Sequence, residues 1–488
     1  MRANSPVRAS AHVVAPLLIV MAAVLQVGCD AFKPTEVENP NVTDQQFVGS
    51  PGSGAAWQLG VERQFLTTLN GVVINSELVS DNYFNDYTTN SQKMDVPDLE
   101  YIDPDITDIQ GDIARLRNVA TFGLDTVFPR DTSVTPETRA EALFYRGMAN
   151  LFAGEMFVAL PATSKGEVVS WQDLLQLAIS DFSEARSTAT DAATKQGCTL
   201  ALARAYYRLG DKSKAVEEAT ALLAANPTFI RNAEFDPVQG PGNSMQGVLT
   251  SSVNNLQPLP RLDFLDPKYP NRGPNEQSPI AYLKAEEAHL ILAEALLSDN
   301  DLPGAMGQLT QLLALVQSRG TELVDSQLQQ RGRAGGKIVY PNTADTKVAF
   351  APGGALLTGY VLTRSEGDVA VPTISGTSVT QADIDAIGSV DDGLYLLYLM
   401  RQEIFIGEGR RMADLGIRMP VAQTEVLANP NAQEGADYTE AQIPSFIPTG
   451  FGMDAFEYDS VAKTVVISFD MNRVLVDNKT SPEVLPFN

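Results

Sequence analysis

A short segment near the C-terminal end combines acids and bases in a way that could do chemistry. Four charged residues follow an apolar run that begins at Leu394, namely Glu408, Arg410, Arg411 and Asp414. On one helix, Glu408 would face Arg411 three residues later, and Arg410 would face Asp414 four residues later. Such a cluster could form an active site. The alternative, which the pattern favours, is an ion-pair network that holds one helix against its neighbours.

The sequence offers few other catalytic groups. It has two histidines and two cysteines, and it lacks the HExxH, CxxC and GxSxG motifs. His289 lies in an apolar helical stripe, where a core or groove position is expected. The acids Asp103, Asp105 and Asp108 lack the glycine and final glutamate of an EF-hand loop, so we expect a solvated acidic turn there. We therefore predict no cofactor and no bound metal.

Composition and charge restrict the class of partner. The chain has 488 residues, of which 44% are hydrophobic, so it can bury a large core. Its formal net charge is -25. A chain this acidic repels nucleic acid and other polyanions, so we expect no nucleic-acid partner. Neutral and cationic ligands remain open.

The N-terminal residues have the pattern of a lipoprotein signal. Two arginines precede an uncharged apolar run at 13–25, which is too short to span a bilayer. A glycine then precedes Cys29, so we predict cleavage after residue 28 and lipidation of Cys29. The Pro-, Asn-, Asp- and Gly-rich segment 29–54 is predicted to be a lipidated tether. Lipidation of Cys29 would leave Cys198 without a disulfide partner.

Two helical hairpins are the clearest structural prediction. In 199–227, two stripes of apolar residues with helical spacing flank a Gly210-Asp211 turn, and 285–320 repeats the arrangement around a turn at 298–301. Both resemble tetratricopeptide repeats, whose period is about 34 residues. Because one repeat cannot bury its apolar face alone, the hairpins must stack. We therefore predict a mainly α fold in which tetratricopeptide-like hairpins form a right-handed solenoid scaffold, decorated by a long loop-rich lobe with little β structure.

The chain is expected to divide into consecutive parts. After the signal peptide and the tether, the predicted parts are a helical body at 55–320, a loop-rich insertion at 321–390, a scaffold helix at 391–420 and an irregular C-terminal segment at 421–488. One strand, at 464–469, is predicted within the last part.

An aromatic and polar segment is the best candidate for binding a ligand. Sugars present apolar C–H faces that stack on aromatic rings, while neighbouring amides and carboxylates satisfy the hydroxyls. The segment lacks a helical core pattern, so we predict a loop that displays its rings. The alternative is that the rings pack the loop onto the helical body. The candidates are Asp81, Asn82, Tyr83, Phe84 and Tyr87, with Tyr101 and Tyr269 as further aromatic candidates.

Four segments, in this order, resemble the SusD/RagB family of nutrient-uptake lipoproteins of bacterial outer membranes. They are TRAEALFYRGMANLFAGEMF at 138–157, KQGCTLALARAYYRLGDKSKAVEEA at 195–219, AYLKAEEAHLILAEALL at 281–297 and RQEIFIGEGRRMADL at 401–415. The last resembles the late helix of the family, which places Glu408, Gly409, Arg411 and Asp414 in a scaffold role.

The resemblance implies a non-enzymatic lipoprotein, anchored by its lipid at the outer surface of the outer membrane. It would bind a neutral glycan or another small nutrient and deliver it to a SusC-like TonB-dependent outer membrane receptor. The repeats would contact the receptor and the loop-rich face would hold the ligand. Two alternatives remain open. One is a secreted glycan hydrolase that uses paired carboxylates, and the other is a structural assembly lipoprotein built on tetratricopeptide repeats.

Overall fold

The described part of the chain is mainly helical. The computed structural model describes residues 47–85, 92–250, 256–273, 275–326, 339–364, 367–450, 452–484 and 487. Its α-helices are Ser53–Leu78 (α1), Gln92–Asp95 (α2), Pro104–Phe122 (α3), Pro136–Met156 (α4), Trp171–Thr188 (α5), Ala192–Arg208 (α6), Lys212–Ala225 (α7), Ser244–Thr250 (α8), Glu286–Ser298 (α9), Leu302–Ser318 (α10), Gln381–Asp385 (α11), Val390–Phe405 (α12), Arg411–Asp414 (α13), Gln423–Ala428 (α14) and Met471–Asp477 (α15).

The strands are short and pair in small sheets. They are Tyr83–Asn85 (β1), Ala159–Pro161 (β2), Val168–Ser170 (β3), Ile230–Ala233 (β4), Leu256–Pro258 (β5), Ile280–Lys284 (β6), Glu322–Asp325 (β7), Lys347–Ala349 (β8), Asp368–Val371 (β9), Phe456–Asp459 (β10) and Thr464–Ile467 (β11). Antiparallel pairs join β1 to β5, β2 to β3, β4 to β6 and β7 to β9, and a three-stranded sheet has the order β10-β11-β8. The sheets therefore fasten loops to a helical body.

Both predicted hairpins are confirmed. Gly210, with φ of 74°, makes the turn between α6 and α7, and the Asp211 side chain caps α7 by accepting from the backbone of Lys214. Asp301 caps α10 in the same way, accepting from Gly304. In the body, α4 packs on α5, α5 on α6, α7 on α9 and α9 on α10. This stacking buries the apolar stripes, as the predicted mainly α fold requires.

The charged segment does not form one helix with the apolar run before it. Helix α12 ends at Phe405, and Gly407 and Gly409 then adopt φ of 73° and 72°. These values favour glycine, and they turn the chain before α13 begins at Arg411. The single continuous helix expected here is therefore wrong, because two glycines in left-handed conformation interrupt it.

The C-terminal segment contains more structure than expected. The predicted strand is present as β11, but α14, α15 and β10 also form within this segment. Strand β11 runs parallel to β8, with Val465 opposite Val348, so this segment and the loop-rich insertion share one sheet. Strand β10 gives a weaker signal than β11, because two of its four residues are acids and none of them is buried. The boundaries of the six parts stay predictions.

Candidate functional site

All four residues of the charged segment are buried and form ion pairs with other elements. The Glu408 carboxylate contacts the ammonium groups of Lys268 and Lys284, the latter at 2.6 Å. The Arg411 guanidinium donates through Nε to Oδ1 of Asp81 at 2.6 Å. These partners belong to β6, to the loop before it and to the segment after α1. The segment therefore links parts of the body that are distant in the sequence.

The other two charges pair with the helical hairpins. Arg410 lies 3.3 Å from Glu287 on α9, and Asp414 lies 2.8 Å from Arg208 at the end of α6. The expected pairs within the segment, Glu408 with Arg411 and Arg410 with Asp414, are therefore wrong. The glycine turn removes the helical spacing on which those pairs depended.

The space around these charges is too small for a substrate. A cavity of about 10 Å³ lies beside Arg410 and Asp414, and its lining also includes Tyr207 and Arg401. One water molecule needs about that much space. The geometry therefore favours the ion-pair network over an active site at this segment.

The structure buries most of the aromatic segment that was predicted to display its rings. Asp81 and Tyr83 are 0% exposed, Asn82 is 1% exposed and Phe84 is 4% exposed. Burial opposes ionisation of Asp81, but the guanidinium groups of Arg411 and Arg261 hold its pKa below the usual value. The displayed loop is therefore wrong for these residues, and the packing alternative describes them.

The contacts of this segment show why it is buried. Asn82 donates to Glu77 at 2.7 Å, and the Phe84 ring lies 5.5 Å from the Phe456 ring. Tyr87 lies outside the described residues. Ligand contact by the segment thus stays a prediction.

Four other residues considered in the sequence analysis lie in the packed structure or line a different cleft. Tyr269 is 1% exposed, and its hydroxyl donates to the Gly407 carbonyl at 2.9 Å. His289 is buried with Nδ1 2.6 Å from the Gln308 amide, as expected for a core histidine. Asp103 caps helix α3 instead of lying in an acidic turn. Tyr101 is half-buried and lines an open acidic cleft of about 620 Å³ with Glu434 and Glu440.

A different cleft has the composition that a neutral polar ligand needs. We call it the α10 cleft, because the C-terminal end of α10 forms one wall and the segment 370–381 forms the other. Its volume is about 440 Å³, within the range of roughly 300–1,000 Å³ typical of ligand pockets. Its lining includes Phe264, Gln317, Thr321, Thr377, Thr380 and Gln381.

The α10 cleft carries no formal charge. None of the described residues that line it is an acid, a lysine or an arginine. It offers amide groups from Gln317 and Gln381, hydroxyl groups from several threonines, and the half-buried ring of Phe264. Such a surface can exchange hydrogen bonds with hydroxyl groups and pack against apolar faces.

Buried charged groups hold one wall of this cleft in place. The Glu403 carboxylate on α12 accepts hydrogen bonds from Thr377 Oγ1 at 2.7 Å, and from Ser378 N at 2.7 Å and Oγ at 2.6 Å. The Ser375 hydroxyl donates to Glu286 at 2.8 Å. Lys284 Nζ donates to the Ile374 carbonyl at 2.9 Å. The wall is thus fixed before any ligand arrives, which reduces the entropy cost of binding.

Sequence reasoning missed this cleft. The one local signal is the run of hydroxyl residues at 375–380, within the predicted loop-rich insertion. Nothing in the sequence shows that Glu403 contacts this segment. Helix α12 begins ten residues after the segment, and only its packing brings the Glu403 carboxylate next to Ser378. The cleft therefore depends on packing that no local pattern reports.

A buried carboxylate pair, Asp95 and Asp454, bears on the hydrolase alternative. Burial raises the pKa of Asp95 to about 6, and burial together with Asp95 raises the pKa of Asp454 well above its usual value. Neither acid lines the α10 cleft. Among the described residues, no three His, Cys, Asp or Glu side chains come together as a metal site.

The helices and the cleft together define a class of protein. It is a helical scaffold of tetratricopeptide-like hairpins that carries a cleft built from loops. Within the described ranges, no helix has the length and apolarity needed to cross a membrane.

Solved structures of SusD-like proteins share this fold. A SusD-like protein of Bacteroides fragilis NCTC 9343 has a TM-score of 0.52 and 10% identity, over 77% of this chain and 87% of that one. A SusD superfamily protein of Bacteroides thetaiotaomicron VPI-5482 has a TM-score of 0.51 and 12% identity, over 79% of this chain and 98% of that one. A protein of Bacteroides vulgatus ATCC 8482, to which sugar binding is provisionally ascribed, has a TM-score of 0.50 and 14% identity, over 79% of this chain and 98% of that one.

These similarities concern the fold. No protein-family model matches the sequence, and no curated protein sequence matches it. The chain therefore has the SusD-like fold, as the resemblance of its four segments predicted.

Proposed function

We propose that this protein is a non-catalytic carbohydrate-binding protein that holds a neutral oligosaccharide in the α10 cleft. The observation that carries the proposal is an uncharged, hydroxyl- and amide-lined cleft on a SusD-like fold. A sugar offers many hydroxyl groups and no charge, so it can be bound there without leaving a buried ion unpaired. The sugar binding ascribed to one structural neighbour agrees with this assignment.

Delivery to a membrane transporter is the second part of the proposal. Lipidated at Cys29, the protein would sit on the cell outer membrane and pass its ligand to a SusC-like TonB-dependent receptor. Replacing Cys29 by serine should move the protein from the membrane fraction to the soluble fraction. Copurification of a large β-barrel receptor with the wild-type protein would support delivery, and its consistent absence would favour the assembly alternative.

Binding in the α10 cleft can be tested with exposed side chains. Gln317 and Gln381 are exposed, so replacing both with alanine should leave the fold intact. Each lost hydrogen bond is worth roughly 0.5–1.5 kcal/mol, so affinity for a retained neutral glycan should fall about tenfold in calorimetry. Gln172→Ala is the matched control, since Gln172 is an exposed glutamine on α5. Unchanged affinity in the double variant would remove the cleft from the proposal.

The hydrolase alternative needs a separate measurement. The protein should release no sugar from a panel of neutral glycans. Release that disappears in Asp454→Asn would show that the buried carboxylate pair is catalytic and would overturn a purely binding role.

A further inference from the structure

A second groove runs beside helix α3, and its chemistry differs from that of the α10 cleft. We call it the α3 groove. Its walls are α3, the turn between β2 and β3, and α14, and its volume is about 200 Å³. The polar side chains that line it include Gln110, Arg117, Asn118, Thr163, Lys165 and Glu425.

Arg117 is a buried cation without a close carboxylate. It is 6% exposed, and Nη1 donates to the Pro161 carbonyl at 2.5 Å. Its buried Nε has no hydrogen-bond partner among the described residues, and no described acid lies within 4.0 Å of the guanidinium. Buried polar groups are normally paired. Four other described arginines also have a buried Nε without a partner, but each of them has a carboxylate within 4.0 Å; they are Arg261, Arg364, Arg401 and Arg410. Glu425 acts on the Arg117 charge only from a greater distance. The guanidinium of Arg117 is therefore open to an anionic ligand.

The groove as a whole has a surplus of one positive charge. Lys165 is exposed at its edge and has no salt bridge to the described acids. Glu425 is the one carboxylate among the described lining residues. Its oxygens already accept from Gln110 at 3.3 Å and from Asn429 at 2.9 Å. Two cations and one acid leave the groove suited to a single anionic group.

An aromatic surface continues the groove along α3. Ala114 and Asn118 line both the groove and a neighbouring open cleft that contains Trp57 and Phe122. The two rings have centroids 4.9 Å apart, and Phe122 is 42% exposed. Trp57 Nε1 donates to the Val119 carbonyl at 2.9 Å, which fixes the indole in place. An apolar surface of two rings, inclined at 40° to each other, thus lies beside a site for an anion.

We propose that the α3 groove binds an acidic sugar unit. Its carboxylate would pair with Arg117 and Lys165, and its ring would pack toward Trp57 and Phe122. The size of the groove fits one sugar unit and excludes a polyanion, in keeping with the repulsion expected from the net charge. The choice of a sugar rests on the proposed function, whereas the binding of an anion rests on the groove alone.

The test compares three ligands by calorimetry on the full chain. Methyl glucuronide should bind, while methyl glucoside and acetate should each bind at least tenfold more weakly, because one lacks the charge and the other lacks the ring. Arg117→Gln should weaken glucuronide binding at least tenfold, since a charge-assisted pair is lost. Lys165→Gln, at an exposed position, should weaken it about threefold. Glu425→Gln should strengthen it, because it removes the opposing charge.

Controls separate this site from the fold and from the α10 cleft. Lys195→Gln changes an exposed lysine on α6 outside the groove and should leave the affinity for glucuronide unchanged. If Arg117→Gln does not fold, the opposite effects of Lys165→Gln and Glu425→Gln still decide the matter. Any of three results would overturn the proposal. Glucoside could bind as tightly as glucuronide, acetate could bind as tightly as glucuronide, or the groove variants could have no effect on glucuronide affinity. If the groove variants still bind neutral glycan with unchanged affinity, then the α3 groove and the α10 cleft are separate sites.

Discussion

Replacing Asp414 with alanine should test whether the charged segment supports the fold. Asp414 is 3% exposed and lies 2.8 Å from Arg208 and 3.8 Å from Arg401. Breaking a buried pair costs about 3–5 kcal/mol, because the remaining charge stays buried. Arg208 keeps Glu155 at 3.0 Å and Arg401 keeps Glu294 at 3.1 Å. Since each guanidinium retains one carboxylate, we expect a value near the lower end, about 3 kcal/mol.

Urea unfolding measures this cost. Because the m-value rises with protein size, it should be at least about 3 kcal/mol/M for this chain, so the midpoint should fall by about 1 M at most. The control is Asp345→Ala, whose side chain is 62% exposed in its pair with Lys463. That variant should cost less than about 1 kcal/mol. The reasoning is refuted if Asp414→Ala is as mild as the control, or if it lowers glycan affinity per folded molecule without lowering stability.

Three further changes probe the proton balance, the backbone and the cleft. Because burial raises the pKa of Asp95 to about 6, the stabilisation from protonated Asp95 should be complete below about pH 4 and be lost as the pH rises through 6. Asp95→Asn should therefore reduce the dependence of the urea midpoint on pH between about pH 4 and pH 6. Gly409→Ala should cost at least about 1–2 kcal/mol in thermal unfolding, since φ is 72° and the new Cβ would lie 3.2 Å from Val73 Cα. Glu403→Ala should weaken neutral glycan binding about tenfold in calorimetry. Glu403 does not line the α10 cleft, but its hydrogen bonds hold the wall at 370–381, and their loss would release that wall. Unchanged affinity would show that Glu403 does not position the wall.

The features predicted correctly are those that local sequence determines. The α6–α7 hairpin follows from two apolar stripes separated by Gly210 and Asp211, and each stripe reports its own buried face. The α9–α10 hairpin has the same local signals, with Asp301 capping the start of its second helix. Strand β11 was likewise visible as a run of β-branched residues. In each case a few neighbouring residues carry the information.

The candidate sites could not be predicted in this way. The residues around Tyr83 are polar and aromatic, as in an exposed loop, yet Tyr83 is buried. The reason is that β1 pairs with β5, which is distant in the sequence, and that Arg411 neutralises the nearby Asp81. The α10 cleft and the α3 groove each combine elements that are distant in the sequence. Amino-acid types indicate what chemistry is present, but only packing decides which of those groups meet.

The ion pairs of the charged segment also constrain when the chain can fold. Asp81 and Arg411 are separated by 330 positions, and the Gly409 amide donates to Glu77 across 332 positions. During synthesis from the N-terminus, Asp81 therefore lacks Arg411, and Glu77 lacks the Gly409 amide, until more than four fifths of the chain exists. Closing so long a loop costs entropy before any contact is gained, which slows folding. The segment thus makes the last stage of folding cooperative, and a chain that stops before Arg411 should not reach the native state.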